Sequence, residues 1–342
     1  MSEFARYFNG PLEQKALSWE LCCSQRARGD FPRDFRVPLD QGGPPSCPLP
    51  VSIGGFGGDP CKLRSDHRAK VRSVGKAPII LIHGNGGSAD VGRWAMFELR
   101  ANLIGQAKYP RELIWAPSYL GNNISFGGIP DLNFPHAHNV DEVREFIDNV
   151  CEYLDVEVVD IIAHSLGCTL AYSVFRGLSK QIEGPNSEIT SWSWAEPKKW
   201  HRVGTFIALA GAFRGLVPLP GESIAGEWTP GGEFMSELLA EDLAGDDETP
   251  YGQGKAKTPG PLAHNITYFC GVAKGDYSDN RSPDTRRSTS MLEGAVSKVY
   301  NYARIVNGKD VTTEWEKHER IIKDPVVVQD VKALLTDLCA DI

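Results

Sequence analysis

The segment 158–171 constrains the fold of this chain more than any other part of its sequence. It opens with an apolar, β-branched run (Val158-Val-Asp-Ile-Ile162) that predicts a strand buried on both faces. Small, helix-compatible residues follow from Leu166 to Ala171. Between the two lies Ala163-His-Ser-Leu-Gly167, a Gly-x-Ser-x-Gly motif with alanine at its first position. The motif predicts a sharp strand-to-helix turn that holds Ser165 at the carboxyl end of a sheet as a nucleophile.

Length and charge limit the classes of function. The 342 residues, 41% of them hydrophobic, can bury the core of one large α/β domain or of two ordinary ones. The net charge of −8 argues against nucleic acid and against an anionic membrane surface as partners. No apolar run is long enough to span a bilayer, and the N-terminus lacks the pattern of a secretory signal. We expect a monomer without a membrane span, cytoplasmic unless a signal peptide was removed.

The eight cysteines are too few for a disulfide scaffold in a chain of this length. Four of them crowd the first 61 residues and can form one or two disulfides in an oxidising compartment: Cys22, Cys23, Cys47 and Cys61. Three others lie in apolar contexts and are predicted to be buried thiols: Cys151, Cys168 and Cys270. The sequence has no Cys-x-x-Cys, so zinc-ribbon and thioredoxin-like chemistry is not expected.

Predicted strands and helices alternate along most of the chain. Residues 1–70 are predicted to be an irregular extension packed on the core. Besides the strand before Ser165, strands are predicted at 78–82, 112–117, 203–210, 265–272 and 299–306. Helices are predicted at 90–107, 139–153, 166–176 and 325–338, and residues 179–200 are predicted to be a polar excursion. This alternation predicts one α/β catalytic domain, 71–342, with a mostly parallel sheet, helices on both faces and a cap insertion around 211–263.

A serine nucleophile needs a base, because its hydroxyl is weakly nucleophilic at its ordinary pKa. In folds with this motif the partners follow in the order serine, acid, histidine. Three histidines lie downstream of Ser165, namely His201, His264 and His318. His201 and His264 precede predicted strands, at the opposite end of the sheet. His318 follows the last predicted strand and precedes the last helix, so it is the candidate base, expected in a loop.

The acidic partner should follow the strand before the last one. The predicted strand 265–272 leads into a turn with Asp276 as the first acid and Asp279 three residues later. We choose Asp276, with Asp279 as the alternative and Asp284 as a more distant one. The role of this carboxylate is to orient the histidine and to stabilise its protonated ring.

An oxyanion hole needs two N–H donors about 3 Å from the developing charge. The residue after the nucleophile, Leu166, supplies one. The other should come from the loop after the strand 78–82, where Asn85 lies between two glycines that let the backbone approach a substrate. His83, at the start of this loop, is predicted to be structural.

The same loop also matches a nucleotide-binding pattern. Residues 84–89 fit Gly-x-Gly-x-x-Gly/Ala between a strand and a helix, which would suit a nicotinamide oxidoreductase. That fingerprint expects an acidic residue at the end of the next strand, and Trp115–Tyr119 contains none. No Walker A motif is present, and the His136-x-His138 pair lacks a third metal ligand in view. We therefore predict no cofactor and no metal.

Four motifs together resemble a known family. They are Gly54-Gly-Phe-Gly-Gly58, Pro78-Ile-Ile-Leu-Ile-His-Gly-Asn-Gly86, the segment 159–167, and Phe206-Ile-Ala-Leu-Ala-Gly211 with Arg214-Gly-Leu216. They resemble the lipase-like poly(3-hydroxybutyrate) depolymerases and the related class 2 bacterial lipases. The resemblance implies an α/β-hydrolase fold, a triad of Ser165, Asp276 and His318, and no cofactor for ester cleavage. It also implies oxyanion donors at Asn85 and Leu166.

The substrate implied by this resemblance is a hydrophobic ester or polyester, cleaved through an acyl-enzyme on Ser165. Poly(3-hydroxybutyrate) or its oligomers are the first expectation, and a triacylglycerol lipase or short-chain esterase is the alternative. The predicted cap carries isolated aromatic residues, Phe213, Trp228, Phe234 and Tyr251, and an acidic run at 241–248. We predict that these aromatics wall an acyl pocket without forming a broad polymer-docking patch.

Overall fold

A seven-stranded sheet forms the centre of the molecule. The computed structural model describes residues 31–35, 52–85, 87–89, 96–119, 139–183, 188–194, 202–217, 228–239, 266–283 and 286–338. Its strands are β1 (Ser52–Gly57), β2 (Ile79–Ile82), β3 (Ile114–Tyr119), β4 (Val159–His164), β7 (Val203–Leu209), β8 (Thr267–Ala273) and β9 (Val296–Tyr300). Their order across the sheet is β1-β3-β2-β4-β7-β8-β9. Strand β1 runs antiparallel to β3, and all other neighbours are parallel.

The central strands are buried along their whole length. Every residue of β2, β3, β4 and β7 is buried. Continuous apolar runs such as Ile79–Ile82 are typical of strands that are covered on both faces. These strands could therefore be predicted from the sequence. The prediction of a mostly parallel sheet is confirmed.

Helices cover both faces of the sheet. They are α1 (Arg64–Val74), α2 (Phe97–Gly105), α3 (Val140–Leu154), α4 (Leu166–Arg176), α5 (Glu233–Leu238), α6 (Tyr277–Asn280), α7 (Glu314–Arg320) and α8 (Pro325–Leu334). The chain passes from β2 to β3 in one direction and from β3 to β4 in the other. Because parallel crossovers are right-handed, α2 and α3 lie on opposite faces. Helix α8 packs with α2, and α4 packs with α3. This is the α/β-hydrolase fold that was predicted.

The strand order creates one crevice at the carboxyl ends of β2 and β4. The connection after β2 leads to one side of the sheet and the connection after β4 leads to the other, so a topological switch point lies between them. In the register Ile82 pairs with Ala163. The loop beginning at His83 therefore lies beside Ser165.

The N-terminal region is more regular than predicted. The expectation of an irregular extension through residue 70 is wrong for residues 52–70, which supply the edge strand β1 and the first half of α1. The glycine cluster conceals the strand in the sequence. Gly55 has a φ of 127°, and a Cβ atom there would lie 2.2 Å from the carbonyl oxygen of Ala116. Glycine is what lets β1 approach β3, although glycines are normally depleted in strands. Cys22, Cys23 and Cys47 lie outside the described residues.

Three further segments differ from their predictions. The strand expected at 299–306 divides into β9 and a separate strand β10 (Ile305–Val306), because the Asn301 side chain accepts a hydrogen bond from Ala303 N–H in a turn. The last helix ends at Leu334, after which residues 336–338 pair with residues 75–77. The polar excursion contains a hairpin of β5 (Leu178–Glu183) and β6 (Glu188–Trp194).

The predicted buried thiols are confirmed within the described part of the chain. Cys151, Cys168 and Cys270 are buried free thiols, as predicted, and Cys61 is an exposed free thiol. No helix in the described ranges is long and apolar enough to cross a membrane. Most of the predicted cap, including Tyr251 and the acidic run, lies outside these ranges.

Candidate active site

Ser165 occupies a strained turn between β4 and α4. Its backbone has φ 56° and ψ −134°, a conformation that residues with a side chain rarely adopt. The turn is fixed on both sides, because Ser165 N–H donates to the Leu209 carbonyl (3.0 Å) and Cys168 N–H donates to the Ser165 carbonyl (3.0 Å). The side chain is only half-buried. This is the geometry of a nucleophile elbow, which presents the hydroxyl rather than packing it away.

Two glycines allow the β2 loop to lie against this turn. A Cβ atom on Gly84 would be 2.5 Å from the Ser165 Cβ and 3.1 Å from its Oγ. A Cβ atom on Gly167 would be 2.1 Å from the carbonyl oxygen of His83. Real Cβ atoms do not approach other atoms this closely, so any larger residue at either position would force the loop away from Ser165.

Asp276 and His318 form a buried pair. His318 Nδ1 lies 2.6 Å from Asp276 Oδ2, and the two side chains are 3% and 0% exposed. The carboxylate accepts here, so Nδ1 carries a proton and Nε2 is the nitrogen left to act as the base. The other carboxylate oxygen, Oδ1, accepts from Asp279 N–H at 2.8 Å as the N-cap of α6. Asp276 is thereby held in one orientation toward the imidazole.

His318 lies in a helix, and the expectation that it hangs from a loop is wrong. Helix α7 begins at a capping box in which the Thr313 side chain accepts from Glu316 N–H and the Glu316 carboxylate accepts from Thr313 N–H. Helices α6 and α7 also pack together, since the Tyr277 and Trp315 rings stack with centroids 4.2 Å apart. The acid, as the N-cap of α6, and the histidine, within α7, therefore belong to two helices that pack against each other.

His164 contacts the candidate base, and no role for it was predicted from the sequence. Its Nε2 lies 3.0 Å from the His318 carbonyl oxygen, and the two rings pack with centroids 4.7 Å apart. The carbonyl only accepts, so His164 Nε2 must carry the proton. Burial lowers the pKa of His164 well below its usual range and keeps the ring neutral. The sequence feature that could have indicated this contact is the position of His164 directly before Ser165 in the motif.

The structure does not join all the predicted groups directly. No hydrogen bond links Ser165 and His318, although His164 is adjacent to the first in sequence and packs on the second. Asp279 Oδ2 accepts a hydrogen bond from Gly275 N–H at 2.8 Å, so this side chain stabilises the turn before α6. The remaining candidates lie outside the described residues: His136, His138, His201, His264 and Asp284.

His83 fixes the loop that carries the predicted oxyanion donor Asn85. The ring is fully buried and stacks on Tyr119, with centroids 3.8 Å apart. Its Nδ1 donates to the Gly84 carbonyl (2.8 Å), and its Nε2 accepts from Tyr119 N–H (3.2 Å). The Gly84–Asn85 peptide is trans, so holding its carbonyl toward His83 turns the Asn85 N–H the opposite way. At the other predicted donor, Leu166 opens α4, where the first N–H groups lack intrahelical partners.

The neutral state of His83 should make stability depend on pH. Burial lowers the pKa of His83 to about 4 from an ordinary 6.5. Between these values the unfolded chain binds a proton that the folded protein excludes, so the unfolding free energy falls as the pH drops below 6.5. The full loss from this group is about 3 kcal/mol.

Denaturant unfolding at pH 7 and pH 5 tests this expectation against His83→Gln, whose side chain does not titrate. The wild type should lose more stability than the variant between the two pH values. Comparing the two proteins cancels the other titrating groups. Equal losses would mean that His83 is not the group excluded from protonation.

The described residues give no support to a nucleotide or metal site. Residues 87–89, the last three of the fingerprint, are not helical, whereas a dinucleotide fingerprint opens directly into its helix. No group of three potential metal ligands occurs among the described residues.

Part of this chain is similar to a known protein family, and the chain is similar to several solved structures. Residues 76–235 match the family described as lipase (class 2). No curated protein matches the chain. Among solved structures, Aspergillus fumigatus lipase B is similar over 75% of this chain at 15% identity and a TM-score of 0.45, and this chain spans about half (51%) of that one.

Two bacterial structures cover more of their own length. Bacillus licheniformis lipase BlEst2 is 12% identical with a TM-score of 0.40, over 77% of this chain and 93% of that one. Carboxylesterase CesB from Bacillus subtilis is 13% identical with a TM-score of 0.35, over 78% and 85%. With identities and scores this low, the fold is assigned from the sheet order and the elbow.

Proposed function

We propose that the protein is a serine carboxylic-ester hydrolase. The observation that carries the proposal is the buried 2.6 Å contact of Asp276 with His318, together with a serine held in a strained elbow. A carboxylate on Nδ1 prepares the imidazole to act as a base through Nε2. The class 2 lipase match over residues 76–235 supports ester hydrolysis as the reaction class.

The proposed reaction proceeds in two steps, acylation of Ser165 and hydrolysis of the acyl-enzyme. His318 Nε2 takes the proton of Ser165 Oγ, which attacks the ester carbonyl and forms a tetrahedral oxyanion. The N–H groups of Asn85 and Leu166 would hold that charge. Collapse releases the alcohol with the proton from His318 and leaves an acyl-enzyme. Water then attacks the acyl-enzyme by the same sequence, releasing the carboxylic acid and restoring Ser165.

The described aromatic residues favour small esters over a polymer surface. Phe213, Trp228 and Phe234, which the sequence assigned to the cap, are all buried. Phe213 packs on Tyr172 and Trp228 packs on Phe234, both edge to face. Side chains in such positions stabilise the core and cannot dock on a polymer. We therefore place soluble short-chain esters first, as for a class 2 lipase or esterase, and poly(3-hydroxybutyrate) oligomers second.

A series of p-nitrophenyl esters from acetate to octanoate, together with poly(3-hydroxybutyrate) clearing, tests the proposal. We expect the highest kcat/KM with butyrate, weaker action on hydroxybutyrate oligomers and least on crystalline polymer. A fluorophosphonate probe should label the wild type and not Ser165→Ala. Absence of both labelling and turnover would contradict the proposed function. Preference for the polymer over butyrate would select the depolymerase alternative.

A further inference from the structure

His164 connects the strand that leads to the nucleophile with the helix that carries the base. It is the last residue of β4, so Ser165 follows it directly in the chain. Its Nε2 donates to the His318 carbonyl oxygen across 3.0 Å, and the two imidazoles pack with centroids 4.7 Å apart. His164 is only 2% exposed. The reaction proposed above assigns no step to this buried imidazole.

The hydrogen bond from His164 reaches the last turn of α7. The first turn of that helix is held against α6, where the Trp315 ring stacks on Tyr277. His318 lies in the last turn, where the carbonyl groups of a helix lack donors within the helix. The His164 imidazole supplies a donor to one of these carbonyl groups. The bond therefore fixes the end of α7 to the strand that carries the elbow.

Another contact in the same turn has a different effect. The Lys317 ammonium group lies 2.6 Å from the Asp310 carboxylate. Asp310 precedes α7 by four residues, so this ion pair fixes the helix to the segment that leads into it. It does not connect α7 to the elbow. His164 makes that connection, because a single peptide bond joins it to Ser165.

The His318 ring has little freedom relative to its own backbone. Asp276 accepts from its Nδ1, and Trp315 lies edge to face with a centroid distance of 5.9 Å. The Tyr277 ring is 6.4 Å away at an angle of 67°, and His164 packs at 44°. Because these contacts restrict rotation of the imidazole, the direction of its Nε2 depends on where the His318 backbone lies. His164 holds that backbone.

His164 provides this bond without adding a charge beside the base. Burial, together with the nearby His318, lowers the pKa of His164 well below its usual range. In the proposed reaction His318 takes the proton of Ser165 and becomes positively charged. A second cation with its ring 4.7 Å away would oppose that step. A neutral histidine therefore donates a hydrogen bond where a lysine or arginine would disfavour the reaction.

We propose that His164 is a positioning residue, whose hydrogen bond to the His318 carbonyl aligns His318 Nε2 with Ser165 Oγ. This rests on the proposed function, because the alignment affects the rate only if His318 takes the proton of Ser165. Proton transfer requires the two atoms to come within hydrogen-bond reach. A displacement of about 1 Å can reduce the rate about 100-fold. The bond from β4 to the backbone of the base limits such a displacement.

Two amide substitutions separate this hydrogen bond from the other effects of changing a buried residue. The glutamine amide nitrogen can take the place of imidazole Nε2, so His164→Gln keeps a donor to the carbonyl. The asparagine amide nitrogen takes the place of Nδ1 and is too short to reach it. With p-nitrophenyl butyrate we expect His164→Asn to lower kcat about 100-fold and to change KM less than about twofold. His164→Gln should stay within about fivefold of the wild type.

Fluorophosphonate labelling follows one chemical step at Ser165 and should slow in the same order. His67→Asn is the matched control, because His67 is also fully buried and its Nε2 accepts from Asp59 N–H at 2.9 Å. Its ring packs with Trp115 and Tyr153, away from the elbow. This variant should melt at a lower temperature than the wild type, with kcat within about twofold.

A spectroscopic measurement tests the alignment without turnover. The hydrogen-bonded Nδ1–H of His318 should give a downfield proton NMR signal, assigned by its absence in His318→Gln. We expect this signal at the same position in the wild type and in His164→Gln, and shifted or broadened in His164→Asn. If His164→Asn does not fold, His164→Met replaces it, because methionine also lacks a donor.

Several results would overturn the positioning role. These are wild-type kcat and an unchanged NMR signal in His164→Asn, equal losses in the glutamine and asparagine variants, or an equal loss of kcat in His67→Asn. An effect confined to KM would also overturn it. A wild type that neither cleaves esters nor reacts with the fluorophosphonate would overturn the proposed function instead, and the NMR comparison would still show whether His164 orients the His318 ring.

Discussion

Ser165→Ala should lower kcat by about 10⁴-fold or more while the protein remains folded. The hydroxyl is the only group at the elbow that the proposed mechanism uses as a nucleophile, and the members of a triad act as a unit. The structure gives no reason for unfolding, since the turn is fixed by backbone hydrogen bonds to Leu209 and Cys168 that alanine retains. Steady-state hydrolysis of p-nitrophenyl butyrate measures the loss of kcat, and a thermal melt shows whether the variant is folded.

Ser165→Gly is the matched variant for the strain at this position. Glycine adopts positive φ readily, so it should relieve part of the about 1–3 kcal/mol that such a backbone conformation costs. We expect Ser165→Gly to be as inactive as Ser165→Ala but to melt at a higher temperature. Wild-type activity in either purified variant would overturn the nucleophile assignment, and equal melting temperatures would show that the elbow stores little strain.

Asp276→Asn should reduce kcat/KM by about 10³–10⁴-fold. The amide can keep its oxygen as the N-cap acceptor for Asp279 N–H, so α6 should survive. Its NH₂ group would then face His318 Nδ1, which must give up its proton to accept. The ring would change tautomer and lose Nε2 as a base. Kinetics across a pH series should show a loss of rate with little change in KM.

Asp279→Asn is the control for this prediction. Asp279 accepts from the Gly275 N–H, and an asparagine oxygen can accept the same bond. We therefore expect activity within about threefold of the wild type, since the variant keeps this bond and also the backbone N–H that donates to Asp276. A reversed order of severity would assign the acid to Asp279 and contradict the role given to Asp276.

The sequence alone determined the features that depend on neighbouring residues. Largely apolar runs predicted β2, β4 and β7, because such runs are stable in a folded protein only when both faces of the strand are covered. The small residues around Ser165 predicted the elbow, because a turn this tight excludes larger side chains. Regular apolar spacing likewise predicted α3 within a residue at each end.

Only the tertiary structure decided which distant groups meet. Asp276 and His318 are 42 residues apart, and His164 reaches the His318 carbonyl across 154 residues. Neither contact leaves a local pattern, because each arises where the strand order brings loop ends together. The pairing of β1 with β3 is of the same kind. Local sequence fixes the backbone of each element, whereas the crevice between β2 and β4 exists only once the crossovers have placed the elements side by side.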